Sequence, residues 1–155
     1  MIPVKEVMTR NVITFREETP VEEIATTLAS KRITGAPVVA ADGHVVGIVS
    51  EVDVFSKKGS TARDIMSPHV ITVSEDTGID EAARLLIGER IRRVPVIKRG
   101  KMVGLLSRSD VLEFFATTRW TCDVCGRWER GLEMPERCHS CSSTDIRLER
   151  ADPGH

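Results

Sequence analysis

The chain has no tyrosine, and its aromatic residues, four phenylalanines and two tryptophans, make up only 4% of its 155 positions. Its core therefore has to be built mainly from aliphatic side chains. No cysteine occurs before position 122, which excludes a disulfide framework over most of the chain. There is no surplus of charge: Lys plus Arg is 22, Asp plus Glu is 23, and the formal net charge is −1. That balance gives no general pull toward nucleic acid or an anionic membrane. No apolar run approaches the roughly 18 residues that span a bilayer, and the opening MIPVKEVMTR lacks the apolar core of a signal peptide. The expectation is a cytoplasmic protein with no membrane partner. What is present is ordinary globular composition, 41% hydrophobic and 29% charged. The length suits one domain with a real core or two small ones. All four cysteines lie between 122 and 141, so one cysteine-dependent appendix is expected.

A repeat organises the rest. Shifted by 58 residues, VMTRNVITFREETPVEEIATTLASKRITGAPVV from Val7 falls on IMSPHVITVSEDTGIDEAARLLIGERIRRVPVI from Ile65. Met8 meets Met66, Thr14 meets Thr72 and Pro37 meets Pro95. The second copy is one residue shorter after the proline, so Gly47 then meets Gly104 and Asp53 meets Asp110 at an offset of 57. Fixed-period self-similarity indicates repeated supersecondary units. Two copies predict a packed pair rather than a solenoid.

Each copy reads as β-α-β-β-α. VITF and VITV are short β-rich runs. In TPVEEIATTLASKR, Thr19 is the expected N-cap, Pro20 the first helical residue and Glu22 the N3 acid. Val21, Ile24, Ala25 and Leu28 share one helical face. Thr77 and Asp80 repeat the cap in the second copy. Asp42-Gly43 and Arg99-Gly100 mark hairpin turns. SEVDVFSKK and SRSDVLEFF then begin short helices.

The Ser-x-x-Asp element closes each copy, in GIVSEVD at 47–53 and GLLSRSD at 104–110. It has the signature of a capping box, in which the serine accepts from the N–H of the aspartate three residues on. The same helix end offers unpaired N–H groups to a phosphate, and a carboxylate there can accept from both hydroxyls of a ribose. The preceding glycine permits close backbone approach.

Met-Thr or Met-Ser near the start, a proline opening the second strand, and Gly-aliphatic-aliphatic-Ser-x-x-Asp at the close resemble CBS motifs, and residues 3–117 resemble a tandem CBS pair, the Bateman module. The resemblance implies an α/β (α+β) fold of two repeats packed pseudo-symmetrically by their sheets, with two clefts that take adenine nucleotides or related adenosyl ligands. It also implies a homodimer of pairs. By the same resemblance, one cleft takes Ser107 and Asp110, with Arg92 and Arg93 on its phosphate side and Ile13, Ile33 and Thr34 on its adenine side. The other takes Ser50 and Asp53, with Thr34 and Gly35 where the arginines stood and Ile71 and Ile91 as its apolar wall. Arginine binds phosphate through charge-assisted, often bidentate bonds, and threonine and glycine lack that charge. The Asp110 cleft is therefore the expected main nucleotide site and the Asp53 cleft the weaker one. The competing reading leaves Arg92 and Arg93 as solvated surface charges.

Cys122-x-x-Cys125 and Cys138-x-x-Cys141 are separated by twelve residues. Two such turns supply the tetrahedral thiolate shell that Zn²⁺ favours and that also holds a single iron. The segment resembles a zinc ribbon, and Cys-x-x-Cys-Gly resembles a rubredoxin knuckle. Gly126 fits it, whereas Ser142 stands where a second glycine is common. Paired disulfides and a redox Cys-x-x-Cys are weaker readings. With four protein ligands the metal is expected to be structural. From Arg119 onward there are six arginines and no lysine against seven acids, so nucleic-acid binding is possible but not favoured, although Trp120 and Trp128 could stack on bases.

No G-x-S-x-G, P-loop or H-E-x-x-H occurs, and Ser-x-x-Asp without a base is not an activated nucleophile. The expectation is a non-catalytic sensor: CBS motif 1 at 1–58, CBS motif 2 at 59–117, and a metal-binding β ribbon with tail at 118–155. An adenine nucleotide such as AMP or ATP is the expected ligand. VLEFFATTRW is the expected link to the ribbon, which would contact an unknown protein partner. The rivals are a nucleic-acid-binding regulator and a rubredoxin-like iron protein in electron transfer.

Overall fold

The computed structural model describes residues 1–151; residues 152–155, the last of the expected tail, lie outside the described residues. The chain forms two compact units, and each borrows sequence from the other repeat. One contains Arg10–Val73 with Pro95–Leu105, and the other contains Met1–Thr9, Ser74–Val94 and the described residues from Leu106 to Ala151.

In the first-repeat unit, α1 (Val21–Lys31) buries Ile24 and Leu28, four residues apart and so on one face. β1 (Gly35–Val39) and β2 (Val45–Ser50) form an antiparallel pair, followed by α2 (Glu51–Ser56) and α3 (Ala62–Ile65). Phe15, Ile24, Leu28, Ala36, Val38, Val49, Ala62 and Ile65 make up the core. Full burial of an aliphatic side chain such as Ile24 contributes roughly 1.5–3 kcal/mol. The VITF run touches the sheet through one residue: Phe15 donates its N–H to the Pro37 carbonyl at 3.0 Å and accepts from Val39 N–H at 2.8 Å.

In the other unit a 3₁₀ turn, Val4–Glu6, opens the chain. Along the chain then come β3 (Val73–Ser74), α4 (Ile79–Gly88), β4 (Arg93–Lys98), β5 (Lys101–Ser107) and α5 (Arg108–Thr117); α4 and α5 belong to this unit, whereas β3, β4 and β5 each cross the division, with Pro95–Leu105 in the first unit. The strands run in the order β3-β4-β5. A separate antiparallel sheet, ordered β7-β6-β8, is made by β6 (Thr118–Cys122), β7 (Trp128–Glu129) and β8 (Ile146–Arg150). Among the described residues no helix is long and apolar enough to cross a membrane.

The helix starts differ from the sequence expectation. Pro20, not Thr19, is the N-cap of α1, and no side chain caps it. Thr19 Oγ1 instead accepts from Arg16 N–H at 2.9 Å. Pro20 is extended and bridges Thr61, and the first helical N–H, that of Val21, donates to the Ser60 carbonyl at 3.0 Å. The second copy repeats this: Gly78 is the N-cap of α4, it bridges Pro3, and Ile79 N–H donates to the Ile2 carbonyl at 2.8 Å. Pro3 and Thr61 are repeat equivalents, as are Pro20 and Gly78. A backbone carbonyl from the leading segment of the opposite repeat thus does the capping assigned to a side chain.

Both helices end alike. Arg32 and Arg90 sit in the left-handed region at φ 55° and 54°. The next residues, Ile33 and Ile91, donate N–H to Leu28 and Leu86 at 3.1 and 3.0 Å, the six-to-one bond of a Schellman motif.

Gly47 is required by packing. A Cβ built there would lie 2.5 Å from Met66 Sδ and 3.0 Å from the Ser67 carbonyl, and Ile48 and Ser67 exchange N–H···O bonds of 3.0 and 2.8 Å alongside it. Gly47→Ala is therefore expected to destabilise by about 1–3 kcal/mol through overpacking, read as a lower denaturant midpoint at unchanged slope.

Candidate functional sites

Both Ser-x-x-Asp elements form complete capping boxes. In the first, Ser50 N–H donates to Asp53 Oδ2 at 2.8 Å and Asp53 N–H donates to Ser50 Oγ at 3.3 Å. In the second, Ser107 N–H donates to Asp110 Oδ2 at 2.9 Å and Asp110 N–H to Ser107 Oγ at 3.2 Å.

The positions before the prolines are built alike. Thr34 carbonyl accepts from Glu51 N–H at 2.9 Å, and Arg92 carbonyl accepts from Arg108 N–H at 3.1 Å. The pairing Gly35↔Ser50 places Thr34 and Gly35 beside the first box. The structure thus makes Thr34 and Arg92 equivalent, each held at the first turn of the helix that carries its own copy's aspartate.

Past that point the copies diverge. Asp53 accepts three bonds at once: Ser50 N–H and Ser50 Oγ on Oδ2, and Lys57 Nζ on Oδ1 at 2.9 Å. Its helix is only six residues long, too short to develop much of a dipole. Asp110 heads a helix of ten residues. The residue equivalent to Lys57 is Phe114, so no i+4 cation closes on Asp110. Its carboxylate takes a hydroxyl instead: Thr9 Oγ1 donates to Oδ1 at 3.2 Å and to Oδ2 at 3.4 Å. Arg108 adds a cation at this end, donating from Nε to the Ile91 carbonyl at 3.0 Å and from Nη2 to the Leu86 carbonyl at 3.2 Å. It locks the segment that carries Arg92.

Ile91, Arg92, Arg93, Ser107 and Asp110 fall in one unit, and Ile13, Ile33, Thr34, Gly35, Ser50, Asp53 and Ile71 in the other, except that Arg93 and Ser107 lie in strands that continue across the division. Arg92 is exposed and Arg93 half-buried. Thr9, Lys57 and Arg108 escaped the sequence reading. Lys57 was legible as an i+4 partner of Asp53. Thr9 sits about a hundred residues from Asp110 and left no local signal.

Asp110 also lines a groove of about 360 Å³, shared with Glu6, Val7, Glu113, Phe114, Leu148 and Arg150 among others. A second groove, of about 370 Å³, lies along α4 and α5 and is apolar, with Ile87, Leu112 and Phe115 at its surface and Leu132 of the cysteine segment at its edge.

The four cysteines converge. All four sulfurs lie within 4.8 Å of one another, with Cys122 and Cys141 at 3.6 Å and Cys125 and Cys138 at 3.5 Å. A tetrahedral shell with metal–sulfur bonds of about 2.3 Å has sulfur–sulfur edges near 3.8 Å, so the donor set fits a single zinc or iron ion. The knuckles match bond for bond. Gly126 N–H donates to Cys122 carbonyl at 3.0 Å and Ser142 N–H to Cys138 carbonyl at 2.9 Å; Cys122 N–H donates to Arg127 carbonyl and Cys138 N–H to Ser143 carbonyl, both at 2.8 Å. Gly126 has φ 80° and Ser142 φ 63°, so the serine accepts the conformation that a glycine takes in the first knuckle.

N–H groups of Cys141 and Ser140 favour the Cys138 thiolate and lower its pKa to about 6. The Ser143 N–H favours the Cys141 thiolate, but local desolvation among the cysteines and the three neighbouring sulfurs outweigh it and push Cys141 up to about 12. Sulfurs this close resist joint ionisation without a cation among them.

The fold is a tandem α/β repeat pair with a Ser-x-x-Asp box at the head of each closing helix. The chain belongs to the CBS domain family, whose model matches residues 4–59 and 62–117. The cysteine segment lies beyond that match. Among curated relatives, an inosine-5′-monophosphate dehydrogenase of Thermoplasma acidophilum is 41% identical over 108 residues, covering 68% of this chain and 22% of that protein. A Methanopyrus kandleri protein, MK0525, is 35% identical over 121 residues, covering 72% of this chain and 62% of its own length. The chain thus spans less than two thirds of these relatives. Among solved structures, CBSX2 in complex with AMP superposes with a TM-score of 0.70 at 30% identity, over 73% of this chain and 95% of that one. The CBS domain pair of protein MJ0100, in complex with 5′-methylthioadenosine and S-adenosyl-L-methionine, gives 0.68 at 28% identity, over 74% and 96%.

If the first box is chiefly a cap, Ser50→Ala should cost about 1 kcal/mol of stability, equally with and without AMP. Chemical denaturation checks this; a loss that appears only in the presence of AMP would contradict it.

Proposed function

We propose that the chain is a non-catalytic regulatory sensor that binds an adenine nucleotide or related adenosyl ligand through its CBS repeats. Its parts are CBS motif 1 (1–58), CBS motif 2 (59–117) and a metal-binding ribbon with tail (118–155). The observation that carries the reading is Asp110. Its carboxylate already accepts a hydroxyl on both oxygens, from Thr9, and a ribose diol presents the same donors. Arg92 and Arg93 belong to the same copy and supply phosphate chemistry. Ile13, Ile33 and Thr34 complete the adenine side of this reading. The AMP and S-adenosyl-L-methionine bound by the two similar structures support this ligand class.

Ser50 and Asp53, with Gly35, Ile71 and Ile91, make the weaker site. Lys57 neutralises the Asp53 carboxylate, and threonine and glycine replace the two arginines. The ribbon holds zinc, or alternatively iron, on Cys122, Cys125, Cys138 and Cys141, and serves as the contact for a protein partner. An iron-loaded, rubredoxin-like carrier is the second reading, favoured by the bare four-sulfur donor set. Nucleic-acid binding finds less support, since Arg119 pairs with Glu149 and Arg147 with Asp123 and Glu149. The apolar groove on α4 and α5 supports a homodimer through the CBS repeats: Ile87 and Leu112 are 71% and 67% exposed there.

Calorimetric titration with AMP and with S-adenosyl-L-methionine tests the ligand reading. Asp110→Asn and Arg93→Ala should each weaken AMP at least about tenfold, the cost of a lost charged hydrogen bond, while Asp53→Asn leaves the stronger site unchanged. Equal affinities in wild type and Arg93→Ala would remove the arginine assignment. Metal content after native purification decides between zinc and iron.

A further inference from the structure

We infer that the cysteine ribbon is the C-terminal cap of α5, and that metal loading of the ribbon therefore sets the affinity of the ligand end of the same helix. This rests on the reading of Asp110 as a ribose-binding carboxylate.

A helix leaves its last carbonyls unpaired, and that end favours a positive charge. α5 has no basic residue in its last turn, and its C-cap, Thr118, is extended at φ −130°. The side chains of Thr117 and Thr118 satisfy the carbonyls of Glu113 and Phe114. The ribbon supplies donors to the carbonyls of Ala116, Thr117 and Thr118. Arg130 Nη1 donates to the Ala116 carbonyl at 3.0 Å and to the Thr118 carbonyl at 2.9 Å. Ala151 N–H donates to the Thr117 carbonyl at 2.7 Å. Arg130 thus brings from outside the cation that the helix lacks.

Arg130 is itself placed by the first knuckle. Its guanidinium lies 5.4 Å from the centroid of the Trp128 ring. Trp128 pairs with Thr121 in the β6–β7 ladder, and that ladder begins where Cys122 N–H donates to Arg127 carbonyl. A four-sulfur knuckle without its ion loses this geometry, because so small a segment buries too little to hold itself. Between Asp110 and Cys122 there is no loop: α5 passes directly into β6, whose last residue is the first sulfur ligand. The groove at Asp110 is walled on the ribbon side by Leu148 and Arg150. α5 has only ten residues, so losing the partners of its C-terminal turn weakens a short cooperative unit that also carries Asp110. Arg130 is a positioning residue, acting on Asp110 through the helix.

Linkage requires the effect to run both ways: metal strengthens ligand binding, and ligand strengthens metal retention. The test is calorimetry with AMP and S-adenosyl-L-methionine on the full chain, metal-loaded and chelator-stripped under reducing conditions, with hydrogen exchange on both forms. Stripping and Arg130→Ala should each weaken ligand binding roughly five- to tenfold and speed exchange at 113–117, with α4 unchanged. Arg147→Ala removes ribbon ion pairs that do not touch α5 and should bind like wild type. Equal affinity in loaded and stripped wild type overturns the coupling and leaves the ligand reading standing, even if Arg130→Ala fails to fold. An effect of Arg147→Ala as large as that of Arg130→Ala overturns the assignment to Arg130. Failure of loaded wild type to bind either probe overturns the ligand reading, and the coupling with it.

Discussion

The structure depends on one backbone bond made twice: the first N–H of α1 and of α4 donates to a carbonyl of the opposite repeat's leading segment. Val21 donates to Ser60, and Ile79 donates to Ile2. A helix start with no side-chain cap has to find an acceptor elsewhere, and here the acceptor arrives only when the two repeats exchange their leading segments. The exchange explains why Met1–Thr9 belongs to the unit of the second repeat. It also explains why Thr9 reaches Asp110 at all.

Equivalent backbones then carry unequal side chains. The Schellman turns at Arg32 and Arg90, the bonds from Glu51 and Arg108 back to Thr34 and Arg92, and the two capping boxes are the same construction. On it, one copy places Lys57 against its aspartate and the other leaves the aspartate to a threonine hydroxyl. A cation on a carboxylate competes with any ribose for its lone pairs. The difference between the two capping boxes thus comes from side-chain chemistry on a shared frame, and Arg108 adds to it by fixing the Ile91–Arg92 segment.

The ribbon repeats the principle of borrowed capping on a smaller scale. Its knuckles are built by identical bonds around Cys122 and Cys138, with Ser142 taking the left-handed conformation that Gly126 takes in the first. Its sheet continues the chain of α5 without a linker, and Arg130 and Ala151 satisfy the end of that helix. The four-cysteine segment is in this sense part of the second repeat's architecture as well as an appendix to it.

Much of this was legible in the sequence. The doubled motif, the period, the hairpin turns, the capping boxes and the four sulfurs are local patterns, and spacing alone determines which residues can share a turn or a helix face. The helix starts were misread, because threonine before proline looks like a cap while the true acceptor, Ser60 or Ile2, lies in a distant segment. The packing demand on Gly47 left no local signal for the same reason: the atoms it must avoid belong to Met66 and Ser67. By itself the sequence determined the repeats, their capping boxes and the four-cysteine cluster. Only the tertiary structure decided which carboxylate meets Thr9 and what caps α5, because those partners meet through folding across long separations that no local pattern records.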